Sequence, residues 1–427
     1  MAHSVFIANT LRLLSWNYIK YKINWVSKLN CIKNIVSQLS KKNIMYIKII
    51  QSLATNGALF DKEQMEYLEQ YTDHVPYDEN DVDTTFLNTI RTVSKKTNST
   101  FILETPTIPF KAGMVALVHK GTLNNKPVVI KVIRNNIREK IIKALDEMES
   151  LFSVLSWVPQ IKAMNIIAIM RENREAMIEQ TNFTKELENL NEMKNLCTYT
   201  DYIKIPDVYS EYTDENPNII VMEYLDGKRI EEVQPDEAPQ YSKLLAQFEA
   251  KTTMFNTFYH ADLHSGNILF MRDDDDKEML GIIDFGIMGK STKEQQEAFY
   301  NIFKCADIEK NRGYNTSIAL LDGIAEPKDI LNNLSPKQRE HIINVVQPCV
   351  IAMLESSEGV TPEHLYKINK CLIKYNMHLA NSFCKMHMAM LAMDSVSHRL
   401  NGRSSHLCEI RGAVRDIFDG LDNLLDI

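Results

Sequence analysis

Leu11, Leu14, Tyr18, Tyr21, Trp25, Leu29, Ile32, Val36 and Leu39 recur at steps of three and four, the spacing that sets side chains along one stripe of an α-helix. Lys20, Lys22, Lys28 and Lys33 fall off that stripe. A more acidic helical region follows to about Tyr71, and Asp73 to Ser99, with Asp-Glu-Asn-Asp near its start, reads as a linker holding a short helix. From Phe110 the pattern changes to two short apolar runs, Met114–Val118 and Val128–Ile133, separated by Gly121–Pro127, which predicts a β-hairpin. Helical spacing returns between Ile137 and Cys197, then a strand-like run, Ile219–Tyr224, is closed by Asp226 and Gly227. Everything beyond Lys290 reads as helical, and no internal repeat is evident. A small β-rich section followed by a large helical one outlines an α+β chain of two lobes around a cleft. The expected segments are a helical extension over 1–99, a β-rich lobe with a helical insertion over 100–225 and a helical lobe over 226–427.

Composition narrows the class. With 44% apolar and 24% charged positions, 427 residues suffice for one large core or two coupled ones. Seven cysteines without a CxxC pair argue against structural zinc or a disulfide scaffold and suit a reducing, intracellular compartment. No apolar run reaches the roughly 18 residues of a membrane-spanning helix. The net charge of -8 hides an asymmetry: residues 1–60 hold eight Lys/Arg and no acid, which leaves 40 Lys/Arg against 56 Asp/Glu in the rest. The basic end has three readings. It packs on its own domain, it lies on an anionic membrane surface with Trp16 and Trp25 near the headgroups, or it is a cleavable targeting peptide, against which its few arginines speak. No nucleic-acid partner is expected, and no protein partner is indicated.

The densest chemistry lies between Tyr259 and Gly289: Tyr-His-Ala-Asp-Leu-His-Ser-Gly-Asn-Ile-Leu-Phe, then, after an aspartate-rich stretch, Gly-Ile-Ile-Asp-Phe-Gly. Asp262 and Asn267 are five residues apart in a loop, and Asp284 follows 17 later at the end of an apolar run. That spacing suits phosphoryl transfer: Asp262 orients or deprotonates an acceptor, while Asn267 and Asp284 hold magnesium on nucleotide phosphates. Ile268–Phe270 and Leu280–Ile283 form a hairpin turned through Asp273–Lys277, whose aspartates are a solvated tip or, alternatively, a separate metal site. His264 is either a structural loop histidine or a direct participant. Lys131, inside the apolar run Val128–Ile133, is placed to meet phosphates; the alternative is an edge-strand lysine reaching solvent. Its carboxylate partner is expected to be Glu186. The loop Phe110–Val115 has one glycine, so Ala112 and Gly113 supply whatever backbone amides approach phosphates. In Val221–Gly227, backbone groups from Glu223 to Leu225 suit an adenine edge; taken alone, the run is a buried strand ending in a turn. The sulfur-rich stretch Phe383–Met393 reads as core packing, with a soft-metal or lipid-binding surface as the alternative. Histidines 260, 264 and 387 have no zinc spacing, so no transition metal is assigned.

Assembled, these residues resemble the UbiB (aarF-domain) family of atypical kinases over roughly Tyr46 to Gly289. His-Ala-Asp-x-His-x-Gly-Asn and Asp-Phe-Gly are both present, and Lys111-Ala112-Gly113-Met114 partly resembles the family's alanine-rich loop. The resemblance implies a protein-kinase-like fold, ATP and Mg2+ as cofactors, and a link to lipid homeostasis and coenzyme Q biosynthesis. It also implies a regulatory Lys-x-Gly-Gln helix over the nucleotide, here Lys48-Ile49-Ile50-Gln51, with Ile50 where glycine is expected. Asp73-His74-Val75-Pro76 fits the family too. Its Glu-x-Asp signature becomes Gln180-Thr181-Asn182, which marks a divergent member with an altered cover. Three functions stand open: an active phosphotransferase or ATPase, a nucleotide-binding pseudokinase scaffold, and a small-metabolite kinase of the choline or aminoglycoside type. The compartment is left open between mitochondria, plastids, a bacterial membrane surface and others.

Overall fold

The computed structural model describes residues 2–54, 62–69, 75–106, 108–157, 166–297, 300–301, 312–355, 362–402 and 409–416. Two compact units emerge, one of Met1–Glu188 with Asp207–Tyr224, the other of Asn189–Pro206 with Leu225–Ile427. Both mix helices with small, mainly antiparallel sheets, an α+β architecture.

The first unit is organised by a sheet of order β1 (Phe101–Leu103), β3 (Ala116–Leu123), β4 (Lys126–Ile133), β6 (Ile219–Glu223), with β2 (Lys111–Ala112) paired to β3. The predicted hairpin is β3–β4, but its turn is tighter than Gly121–Pro127. Asn124 and Asn125 have φ of 50° and 63°, the left-handed pair of a two-residue hairpin loop, and Gly121 and Pro127 are already in register with Val128 and Thr122. Gly121 sits in the strand because β1 crosses close: a Cβ there would lie 2.5 Å from the Ile102 carbonyl oxygen.

Alternation along β4 decides which side chains face which helices. Val128, Ile130 and Val132 join Ile219 and Val221 of β6 beneath α5 (Phe86–Thr97), where Phe86, Ile90 and Val93 are buried. The short helix expected within the Asp73–Ser99 linker is therefore present as α5, and it is a core element rather than part of a free connection, because its apolar residues repeat at helical spacing. It is also stapled down: Arg134, just after β4, bonds the Asp81 carboxylate at 3.1 Å and the Pro76 carbonyl at 3.0 Å, and Lys140 reaches Asp81 at 2.6 Å. The opposite sheet face packs Ile220 and Met222 against Phe183 and Leu187 of α8 (Phe183–Leu196).

A helical layer completes this unit: α1 (Ala2–Lys22), α2 (Lys28–Ser40), α3 (Met45–Ala54), α6 (Ile137–Leu155) and α7 (Ile166–Glu179). The single apolar stripe of the N-terminus is divided between two helices. Asn24 takes a left-handed φ of 57° and the Ser27 hydroxyl accepts the Asn30 N–H at 3.2 Å, so the first helix ends and a capped second one begins.

In the second unit, β8 (Ile268–Arg272) and β9 (Glu278–Ile282) form the expected hairpin, with β5 (Ile203–Lys204) parallel to β9 and a separate pair of β7 (Phe258–His260) and β10 (Met288–Lys290). They pack on α10 (Ala238–Met254), which buries Tyr241, Leu245 and Phe248. Beyond Lys290 the described chain is helical except for a short antiparallel pair, Ala325–Glu326 with His378–Leu379. In the sulfur-rich helix Asn381–Leu400, Met386 and Met393 are buried.

Candidate active site

In the first unit, Lys131 lies on the face of β4 that packs against α8, and there its ammonium meets the Glu186 carboxylate. The two side chains are only 9% and 6% exposed, so the pair is a buried ion pair in which each charge helps to compensate the other. The 55-residue separation is bridged because α6 and α7 are inserted between strand and partner helix. Asn182, which replaces an acid of the UbiB pattern, caps α8: its side-chain oxygen accepts the Lys185 N–H at 3.2 Å.

The loop expected over the phosphates is short and internally bonded. Phe110 N–H donates to Val118 O at 2.7 Å and Gly113 N–H to Ala116 O at 2.9 Å, so one of the two amides expected there is already engaged. Ala112 pairs with Leu117 in the β2–β3 register. The sequence reading missed Lys120, whose ammonium stands between the Phe110 and Tyr224 rings at 4.2 and 4.1 Å from their centroids, tying this loop to the end of β6. Glu223 is held twice by Asp207: its N–H donates to Asp207 O at 2.7 Å, and its carboxylate accepts the Asp207 N–H at 3.1 Å. Leu225 follows, its side chain buried and its N–H without a hydrogen-bond partner among the described residues. Lys48 is half-buried on α3, Ile50 packs into the surrounding core, and the Gln51 side chain lies outside the described residues, as do Asp73 and His74. α3 is anchored by Tyr46, whose hydroxyl donates to the buried Glu147 carboxylate.

In the second unit, Asp262, Asn267 and Asp284 are brought together by a network whose hub is His260, the first residue of the His-Ala-Asp motif, to which the sequence reading gave no role of its own. His260 is fully buried at the end of β7. Its Nδ1 accepts the Asp262 N–H at 3.1 Å, which leaves Nε2 to donate to the Asp284 carbonyl at 2.7 Å. Burial holds this imidazole below the usual histidine range, so it stays neutral. Asn267 donates its amide to the Asp262 carbonyl at 2.9 Å, and its own carbonyl accepts the Ile283 N–H at 3.1 Å, joining the loop to the residue before Asp284. The Asp284 carboxylate accepts the Gly286 N–H at 3.1 Å, and buried Asn189 donates to the Phe285 carbonyl at 2.9 Å. His264 has a structural position: its Nδ1 accepts the Gly266 N–H at 3.1 Å and so caps the short turn that carries Asn267. Arg229 and Arg399 hold that turn from outside, bonding Gly266 O at 2.9 Å and Ser265 Oγ at 3.0 Å. Asn189, Arg229 and Arg399 lie far from the motif in sequence and carry no spacing signal. The aspartate-rich tip closes on itself, Asp273 accepting the Asp275 and Lys277 N–H groups at 2.9 and 2.8 Å.

Asp262, Asn267 and Asp284, joined through one backbone network, are hard oxygen donors of the chemical kind that Mg2+ takes. With a buried lysine–glutamate pair on a strand and helix, these features define a kinase-like chain. It belongs to the ABC1 atypical kinase-like domain family, whose domain matches residues 71–314, more than half of the chain. Two relatives described as "Probable protein kinase UbiB" are similar to it. The one from Aeromonas salmonicida is 30% identical over 45% of this chain and 38% of its own length; the one from Photorhabdus laumondii is 25% identical over 70% of this chain and 58% of its own. The chain thus spans about half the length of the curated relatives it matches. A solved complex of Rv3197 with erythromycin from Mycobacterium tuberculosis aligns over 85% of this chain and 89% of that one, at 16% identity and a TM-score of 0.46.

Proposed function

We propose that the chain is an ATP- and magnesium-dependent atypical kinase or ATPase linked to lipid or quinone metabolism. The observation that carries this reading is the His260-centred network, which fixes Asp262, Asn267 and Asp284 together. Asn267 Oδ1 and the Asp284 carboxylate would hold Mg2+, which when bound neutralises charge on the β- and γ-phosphates. Lys131, aimed by Glu186, binds phosphate oxygens as a fixed cation, and the Leu225 N–H with the Glu223 carbonyl meets the adenine edge. Asp262 accepts the proton of the attacking hydroxyl or water as the new P–O bond forms, the bond to the γ-phosphorus breaks and ADP leaves.

A scaffold that binds nucleotide without turning it over is the second reading, favoured by the engaged Gly113 amide and the neutral Gln180 and Asn182. Thermal shift with ATP, with and without Mg2+, on wild type and Asp284→Asn tests the site, and ATP turnover by wild type and Asp262→Asn tests the chemistry. The enzyme reading expects a magnesium-dependent shift lost in Asp284→Asn, and a turnover that falls at least about 100-fold in Asp262→Asn while nucleotide binding persists. Binding without turnover in wild type selects the scaffold, and no magnesium-dependent shift overturns both readings.

A further inference from the structure

The end of α1 and the loop to α2 carry Trp16, Tyr18, Ile19, Tyr21, Ile23 and Trp25 to solvent, each between 40% and 69% exposed, within ten residues. Other large exposed apolar side chains among the described residues are scattered along the chain. The far half of the same stripe, Val36 and Leu39, is buried, so the apolar character of the tip is not explained by the core of its own unit. The tip is presented rigidly. Asn17, itself buried, accepts the Asn34 amide at 3.0 Å through its side chain and the Cys31 thiol at 3.3 Å through its carbonyl, locking the two helices just below it.

The segment that forms this tip carries charge of one sign in its own sequence. Lys20, Lys22 and Lys28 surround it, and residues 1–60 contain no Asp or Glu. Lys20 Nζ stands 5.2 Å from the Trp16 ring and 5.9 Å from the Trp25 ring, and Lys22 Nζ 5.6 Å from Tyr18, so ammonium groups and aromatic faces are offered side by side. Protein interfaces enrich tryptophan and tyrosine but deplete lysine. Exposed aromatics together with lysines, in a segment whose own sequence has no carboxylate, match an anionic bilayer surface. No described helix is long and apolar enough to cross a membrane.

We propose that the α1–α2 tip docks the chain onto an anionic membrane surface, with Trp16 and Trp25 seated among the headgroups and Lys20, Lys22 and Lys28 against lipid phosphates. Docking is by the tip of a helical hairpin rather than by a helix lying flat, because the rest of the stripe is buried or half-buried, with Leu11, Ile32, Val36 and Leu39 packed into the core of its own unit. This inference does not depend on the catalytic residues.

The test uses the full chain carrying Trp157→Phe, which leaves Trp16 and Trp25 as its only tryptophans. Vesicles of phosphatidylcholine, with or without phosphatidylserine, are titrated while emission and co-sedimentation are followed. The expected result is a blue shift and pelleting with the anionic vesicles alone, weakened by salt. Lys20→Glu with Lys22→Glu should lower partitioning at least about tenfold, each lysine near such a surface contributing roughly fivefold. Trp16→Ser with Trp25→Ser should abolish pelleting at an unchanged melting temperature, since both side chains are exposed; Lys20→Gln with Lys22→Gln serves if charge reversal alters folding. Equal binding to both vesicles, no binding, or indifference to these substitutions overturns the proposal. So does vesicle-free self-association removed by Trp25→Ser, which would make the patch a face for a second copy.

Discussion

At Lys131 two side chains that water would hold apart are forced to answer for each other. Both are nearly inaccessible, and removing one member of such a buried ion pair costs about 3–5 kcal/mol. Lys131→Met is therefore expected to lower stability by that amount, and the double variant Lys131→Met with Glu186→Gln to recover much of it; urea unfolding of the four chains measures the coupling. His260 makes a pH-dependent demand. Its folded form must keep Nδ1 unprotonated to accept the Asp262 N–H, and burial depresses its pKa, whereas in the unfolded chain a histidine protonates near about 6.5. The unfolded state then binds the extra proton first on acidification. The associated stability is full above about pH 6.5 and is lost as pH falls from there through the folded value. Buried His119, also pushed down by burial, has the same sign. The urea midpoint should fall between about pH 7 and pH 5. His260→Gln should lower the midpoint at neutral pH and reduce, without removing, that slope.

Among elements, periodicity revealed more than punctuation. The β8–β9 hairpin was legible because its turn signal and its apolar runs agree; at β3–β4, Gly121 and Pro127 looked like turn residues but serve a strand crossing and a strand start, and the actual turn lies at two asparagines. Asp73 to Ser99 read as a linker because acids cluster at its start, yet Asp81 is buried against Arg134 and Lys140, partners that no local pattern announces. That staple predicts an asymmetry. Asp81→Asn strands a buried guanidinium whose main-chain bonds to Pro76 and Val75 do not neutralise it, for a loss of about 3–5 kcal/mol. Lys140→Met removes the partly exposed arm and should cost at most about 1 kcal/mol. Denaturant melts of both variants test the difference. Likewise the core residues of the candidate site were legible from spacing, while the groups that hold them, Asn189, Arg229 and Arg399, are set by tertiary placement.

For the whole molecule the question is whether the basic N-terminus is an appendage or part of a folded unit. Its charge sets it apart, but its buried side chains do not: Phe6 stacks on Tyr46 with ring centroids 5.1 Å apart, and Val36 and Leu39 share a core with α3 and α6. Tyr46 in turn donates to the buried Glu147 carboxylate, and α3 carries Lys48, which the family resemblance puts forward as part of a cover over the nucleotide. A chain beginning at Met45 would expose this surface. Each large buried side chain lost from a core costs about 2–5 kcal/mol, so removing Phe6, Val36 and Leu39 together exceeds about 5 kcal/mol, comparable to the whole stability of a typical domain. The truncated chain is expected to lose its cooperative melt or to aggregate. By contrast, Trp16→Ser with Trp25→Ser, which alters only the exposed tip of the same region, should melt like wild type. If the truncated chain instead melts normally and still shows a magnesium-dependent nucleotide shift, the N-terminal helices are a detachable module and the core assigned to them is dispensable.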